Sequence, residues 1–375
     1  MNTWTLSGQV LLPEGQFAEA TLQIEQGRIA QIRRGADPQA DMITDGWIAP
    51  GLIDLQLNGA FGLDFTADPA AIWDVAAHLP RYGVTSFLPT IITSPPETIA
   101  VAQTVLRAGP PPNFRGALPL GLHIEGPFLN PARCGAHLPA HLRLPDIQAV
   151  ADWLPECGVR LVTLAPELPG ALDVICALRE RGVVVSAGHS LATYEEAEKG
   201  FAAGIAYGTH LFNAMPPPEN RAPGLVSALL MNEQVIVGLI ADGVHLHPAT
   251  IALAWRLKGA AKMNLVTDAM AALGMPSGTY RLGDMIVTVD ETSARLSDGR
   301  LAGSLLSLDQ AVRNLIAFTG CSLGEALATV TTVPAQLLGL TDRGQFVPGA
   351  AADLTLLTPD LQIAATIIGG QTVWP

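Results

Sequence analysis

Three histidines, a glutamate and an aspartate carry the chemistry this sequence can offer. The stretch from His189 to Asp268 holds Ala-Gly-His189-Ser, Gly-Thr-His210-Leu-Phe-Asn213-Ala-Met215, Ala-Asp242-Gly-Val-His245 and Val-Thr-Asp268-Ala-Met270. Each cluster follows or ends a short apolar run. Glu125 ends an earlier one, Leu122-His-Ile-Glu125. Imidazole nitrogens and a carboxylate oxygen are the donors a zinc-like divalent ion takes. Glu125, His189 and His210 would make a three-ligand site with one position open for water. Asp268, not needed as a ligand, is then expected as general base and later general acid. Its rival reading is a helix N-cap.

Other polar groups are candidates to hold a substrate. Gly135-Ala136-His137 follows Glu125, and Asn213-Ala214 follows His210. Arg221 comes after a Pro-rich loop, and Ala302-Gly303-Ser304 supplies small residues and candidate backbone donors. The net charge of −13 means that an anionic substrate needs a specific local cation. Arg221 is that candidate, since a guanidinium grips phosphate bidentately. The same charge argues against nucleic acid as a partner. His123 lies two residues before Glu125 on the same face of a strand, and is read as a packing or supporting residue. His78, His141 and His247 carry no strand-end signal. The cysteines Cys134, Cys157, Cys176 and Cys321 have no zinc-ribbon spacing and are read as free thiols, with no base placed to activate Cys134.

These residues need a scaffold that brings many strand ends together. Apolar runs mark eight candidate strands, at 51–57, 85–91, 118–125, 159–165, 182–188, 206–210, 234–241 and 264–268. Helical patterns lie between them at 68–80, 95–107, 145–155, 169–180, 192–203, 222–231 and 248–258, with later ones at 307–318 and 323–338. Several have a proline in the first turn, where a missing N–H is no loss (Pro69, Pro96, Pro169, Pro248). Runs such as Val183-Val-Val-Ser suit parallel strands covered on both faces. The expected fold class is α/β: a (β/α)8 TIM-like barrel with a small β-sandwich domain built from both termini. The expected boundaries are 1–50 and 344–375 for the β-domain and 51–343 for the barrel, with a β-hairpin inserted at about 276–303. Hydrophobic residues at 49% and charged residues at 15% are enough for a large core. No apolar run reaches 18 residues and no basic-then-apolar leader opens the chain, so a cytoplasmic protein off the membrane is expected.

Taken together, several motifs resemble the N-acetylglucosamine-6-phosphate deacetylases of the amidohydrolase superfamily. They are Leu122-His-Ile-Glu125-Gly-Pro-Phe-Leu-Asn130, Ser186-Ala-Gly-His189-Ser, Thr209-His210-Leu-Phe-Asn213-Ala-Met215-Pro, Ala241-Asp-Gly-Val-His245, Val266-Thr-Asp268-Ala-Met and Pro50-Gly-Leu-Ile-Asp-Leu-Gln-Leu-Asn58-Gly. The resemblance covers nearly the whole chain. It implies hydrolysis of N-acetyl-D-glucosamine 6-phosphate to D-glucosamine 6-phosphate and acetate, in amino-sugar catabolism and cell-wall sugar recycling. It implies metal ligation by Glu125, His189 and His210, proton transfer by Asp268, and a substrate contact near the amide from His245. It further implies sugar contacts from Ala136 and His137, phosphate-side contacts from Asn213, Ala214 and Arg221, and a backbone segment beside the substrate at Ala302, Gly303 and Ser304. The family is homodimeric, with the arginine reaching the partner's site. Many superfamily members carry His-x-His at the end of the first strand to hold a second metal. Here Gln56-Leu57-Asn58 stands there, so one divalent ion per subunit is expected, zinc first, with Fe2+, Co2+, Mn2+ or Ni2+ as alternatives. Three rivals stand beside this reading: an N-acetylgalactosamine-6-phosphate deacetylase, a different amidohydrolase, and a barrel scaffold without catalysis.

Overall fold

The structure is a computed structural model and describes residues 3–375. Eight parallel strands form the barrel, at Leu52–Leu57, Val84–Ile92, Leu122–Glu125, Val159–Leu164, Val184–Ala187, Ile205–Gly208, Ile236–Leu239 and Met263–Leu265, hydrogen-bonded in that order. A parallel bridge between Leu57 and Ala269 closes the ring, the Asn58 N–H donating to the Ala269 carbonyl at 2.8 Å. Every residue of the first two strands is buried, as expected where helices cover the outer face and side chains fill the inside.

The helices outside follow the sequence signals except at 145–155 and 323–338. Ile72–His78, Pro96–Ala108, Ala171–Glu180, Tyr194–Ala203, Gly224–Met231, Pro248–Lys258 and Leu308–Thr319 are all α-helical. Thr193 and Glu196 form a reciprocal capping box that starts the fourth of these. No α-helix forms at 145–155. The segment has only two short 3-10 turns, Gln148–Val150 and Pro155–Cys157. Pro155 holds Leu154 in extended backbone, so no helix can run through the end of the segment. The apolar positions are satisfied by packing instead: Val150 is fully buried and Trp153 lies against Phe128, ring centroids 5.8 Å apart. The 323–338 pattern likewise splits, into Leu323–Ala328 and Thr332–Leu337.

Both termini enter one seven-stranded sheet. Its order is Gln371–Trp374, Ile363–Ile368, Leu354–Leu357, Met42–Pro50, Thr3–Leu11, Phe17–Glu25, Arg28–Arg34. The sheet folds back on itself, for the Ile29 N–H donates to the Ala350 carbonyl at 2.8 Å and Arg28 bridges Ala351. Leu6, Leu22, Ile24, Ile48, Leu354 and Ile367 are fully buried between the two layers. The last two strands of the chain are joined by Gly369 and Gly370, whose φ of 55° and 75° make a tight turn. The insertion is a small sheet of Gly278–Leu282, Met285–Val289 and Ala294–Arg295. Its inner residues Leu282, Val287 and Ala294 pack on Ile92, Met270 and Ala302, at the rim of the barrel. Among the described residues no helix is long and apolar enough to cross a membrane.

Candidate metal centre and active site

The carboxyl ends of the strands converge as a barrel requires. Glu125 is the last residue of the third strand, and His189 and His210 each lie two residues beyond the fifth and sixth. Both histidines have left-handed backbone, at φ 51° and 28°, as does Asp268 at φ 48°. Non-glycine residues in that region cost about 1–3 kcal/mol each and persist where surrounding contacts over-determine them. Here the bends aim all three side chains inward.

Glu125, His189 and His210 bring one donor atom each to within 4.8 Å of one another. Glu125 Oε1 is 3.3 Å from His189 Nε2 and 3.1 Å from His210 Nε2, and the two Nε2 atoms are 3.0 Å apart. His189 Nδ1–H donates to the Arg133 carbonyl at 2.9 Å, which leaves the Nε2 lone pair facing the centre. His210 Nδ1 is buried without a partner. A carboxylate oxygen and two imidazole lone pairs, all buried and aimed at one point, fit a zinc-like divalent cation. Burial alone would raise the Glu125 pKa, but hydrogen bonds and charge from the two histidines hold it well below the carboxylate range. Burial opposes charge on His210, and Glu125 outweighs it and raises the pKa.

Asp268 lies beside this centre. Its Oδ1 accepts from Asn58 Nδ2 at 2.7 Å and from Gln56 Nε2 at 3.2 Å. The same Gln56 Nε2 donates to Glu125 Oε1 at 3.1 Å, so one amide spans both carboxylates. Gln56 and Asn58 therefore spend their N–H groups on acidic partners, where imidazoles would offer lone pairs to a second ion. Burial, then the Glu125 charge, push the Asp268 pKa up to about 6.

Two more histidines have their tautomers set by neighbours. Thr93 N–H donates to His137 Nδ1 at 3.2 Å, so the ring proton sits on Nε2, 3.7 Å from Glu125 Oε2. Burial, then the neighbouring His189, push His137 down to about 3, and it stays neutral. His245 Nδ1 pairs with Asp242 Oδ2 at 2.6 Å, and Asp242 Oδ1 accepts from the Val244 and His245 N–H groups at 2.8 Å. His123 joins a buried chain beneath the centre. Its Nε2 lies 2.8 Å from Thr163 Oγ1, which is 2.6 Å from Thr209 Oγ1, itself 2.6 Å from Ser186 Oγ.

A cavity of about 380 Å³ opens above these groups. Glu125, His189, His210, Asp268 and His245 line it, as do Ala136, His137, Asn213, Ala214 and Gly303. Ala302 and Ser304, expected beside a substrate, lie beneath its surface. Ser304 is tied to the Asp268 segment by its N–H to the Asp268 carbonyl at 2.8 Å and its hydroxyl to the Thr267 carbonyl at 2.6 Å. Arg221 is exposed in a turn closed by Glu219 and Ala222, outside this cavity. Arg133 and Arg300 line the cavity and were not singled out from sequence. Arg300 pairs with Asp298 at 2.7 Å and donates to the Gly135 carbonyl, strapping the inserted hairpin to the His137 loop. Arg133 adjoins the flagged Cys134–His137 segment, and Arg300 immediately precedes Leu301 and the small-residue run. Their nearness in sequence was the one signal available for them.

Comparison with known proteins adds an independent finding. The sequence profile of the amidohydrolase family matches residues 47–373. The human N-acetylglucosamine-6-phosphate deacetylase is 40% identical, across 99% of this chain and 91% of the human one. An Escherichia coli N-acetylgalactosamine-6-phosphate deacetylase is 36% identical, across 97% of each chain. Among solved structures, a Mycobacterium smegmatis N-acetyl-D-glucosamine-6-phosphate deacetylase superposes over 100% of both chains with a TM-score of 0.92 and 35% identity. That structure is an aspartate-to-alanine variant in complex with N-acetyl-D-glucosamine 6-phosphate.

Proposed function

The chain belongs to the amidohydrolase family, and we propose that it is a deacetylase converting N-acetyl-D-glucosamine 6-phosphate and water to D-glucosamine 6-phosphate and acetate. The observation that carries this reading is the convergence of Glu125, His189 and His210 beside Asp268 in a chain alike, end to end, to such deacetylases. A divalent cation held by those three side chains, zinc before Fe2+, Co2+, Mn2+ or Ni2+, would acidify water and polarise the acetyl carbonyl. Asp268 takes a proton from the attacking water as its oxygen bonds to the carbonyl carbon. It returns that proton to the sugar nitrogen as the C–N bond breaks, so amine and acetate leave together. With Oδ1 held by Asn58 and Gln56, the other oxygen is the one for this transfer. His245, its Nδ1 fixed by Asp242, presents Nε2 to the reacting amide, and His137 offers its Nε2–H to the sugar.

Asn213 and Ala214 receive the phosphate side of the substrate, and the partner subunit's Arg221 completes it across a homodimer. The exposed position of Arg221, off its own cavity, favours that reading. One ion binds per subunit, because Gln56 and Asn58 donate N–H groups where a second ion needs lone pairs. A cytoplasmic site of action suits a phosphorylated substrate. The likeness to the E. coli galactosamine enzyme keeps the epimeric substrate as a second reading. Acetate release should be measured with both phosphosugars and with unphosphorylated N-acetylglucosamine, before and after chelation. Chelator-sensitive turnover that requires the phosphate and is faster with the gluco epimer is expected. A higher kcat/KM for the galacto epimer would transfer the assignment. No turnover on any of the three sugars with ion bound would leave a different amidohydrolase or a scaffold.

A further inference from the structure

We infer that Glu167, three residues beyond the fourth barrel strand, is a positioning residue for His189 and thereby sets the affinity and geometry of the ion site. The inference rests on the reading that Glu125, His189 and His210 hold the ion. Glu167 touches none of them. Its half-buried carboxylate takes three donors: Asn130 Nδ2 on Oε1 at 3.0 Å, the Leu191 N–H on Oε1 at 2.7 Å and Ser190 Oγ–H on Oε2 at 2.7 Å. These partners come from two different strand-end loops. Asn130 is in the loop that follows Glu125, and Ser190 and Leu191 follow His189 directly.

Both arms lead to the His189 ring and its backbone. On one side, Asn130 Oδ1 accepts from the Ala132 N–H at 3.0 Å and caps the short turn Pro131–Arg133. The carbonyl that ends this turn, on Arg133, accepts the His189 Nδ1–H at 2.9 Å. That bond decides which imidazole nitrogen keeps its lone pair for the ion. On the other side, the Asn130 N–H donates to the His189 carbonyl at 2.9 Å, and Glu167 restrains the next two residues. His189 has φ 51°, a conformation it would leave if released. Charge-assisted bonds of this kind are the stronger ones, so one carboxylate can hold both loops against that strain.

The test measures ion binding itself. Apo-protein is titrated with Zn2+ and Co2+ against a chromophoric chelator, and the visible spectrum of the Co2+ form is recorded, for the wild type and for Glu167→Ala, Glu167→Gln and His189→Ala. Glu167→Ala should bind both ions roughly 10–100-fold more weakly, the loss typical when a partner of a metal ligand is removed, with an altered Co2+ spectrum. Glu167→Gln should rescue most of this, since its carbonyl still accepts from Asn130 and Leu191 and its NH2 can donate to Ser190. Unchanged affinity and spectrum in Glu167→Ala would overturn the inference, even with a lowered melting temperature, because Glu167 would then only tie loops. Should Glu167→Ala not fold, Ser190→Ala, which removes one of the three bonds, is read by the same criterion. His189→Ala separates the two levels. If it binds as the wild type does, the ligand set is wrong; if it alone loses the ion, only the role of Glu167 falls.

Discussion

Replacing Asp268 with asparagine isolates proton transfer from everything else the site does. The side chain lines the cavity, and Oδ1 already accepts from Asn58 at 2.7 Å and Gln56 at 3.2 Å. Asparagine has the same shape, and its own carbonyl can keep both bonds. The three convergent donors for the ion do not include Asp268, so the ion should stay. The lost element is a group able to take and return a proton. General acid–base groups contribute about 10²–10⁴-fold, and at about 1.4 kcal/mol per decade that is roughly 3–5 kcal/mol of barrier. Stability at neutral pH should not fall, because a carboxyl whose charge burial already opposes is replaced by a neutral amide. The assay is kcat from acetate release, alongside ion content by elemental analysis. Turnover within about tenfold of the wild type, with the ion retained, would refute the assignment.

Other expectations follow from the same geometry. Asp54 is buried below the site, where burial pushes its pKa up to about 7 against an ordinary value of 3.8. A raised folded-state pKa gives stability that is full below the ordinary value and is lost as pH rises through about 7. Asp54→Asn can keep the network, since Thr267 Oγ1 can accept from the new amide and donate to the Gln56 carbonyl at 3.1 Å. Its stability relative to wild type, by denaturant titration, should therefore grow between pH 4 and 8, by at most roughly 4 kcal/mol; a constant difference would contradict this. Arg221→Ala should raise KM for the phosphosugar with little change in kcat, as loss of a remote contact does. Mixing it with Asp268→Asn should restore turnover at low substrate concentration, because each mixed dimer has one site with an intact Asp268 and the partner's Arg221. No recovery after subunit exchange would place Arg221 outside the neighbouring site.

Much of this protein is legible in the sequence because barrel strands and their helices are written in local patterns. An apolar run followed by a polar cluster marks a strand end whatever the rest of the chain does. Glu125, His189, His210 and Asp268 are therefore marked out by spacing alone. The same locality explains the failures. The apolar spacing at 145–155 is real, but it packs Val150 and Trp153 against the barrel without an α-helix, and Leu154 before Pro155 is extended. The helical pattern at 323–338 is continuous in sequence but splits into two helices, because Thr331 leaves helical backbone at φ −130° and ψ −79°.

What sequence alone determined is the set of donor atoms and their distribution over successive strands. Only the tertiary structure decided how each donor is presented. The Arg133 carbonyl selects the His189 lone pair, Thr93 selects the His137 proton, Asp242 fixes His245, and Gln56 joins Glu125 to Asp268. Each of these contacts links residues brought together by the fold, apart from the local Asp242–His245 pair. A hydrogen bond acts over about 3 Å whatever the separation along the chain, so tautomer, orientation and charge follow closure of the barrel and cannot be read from spacing.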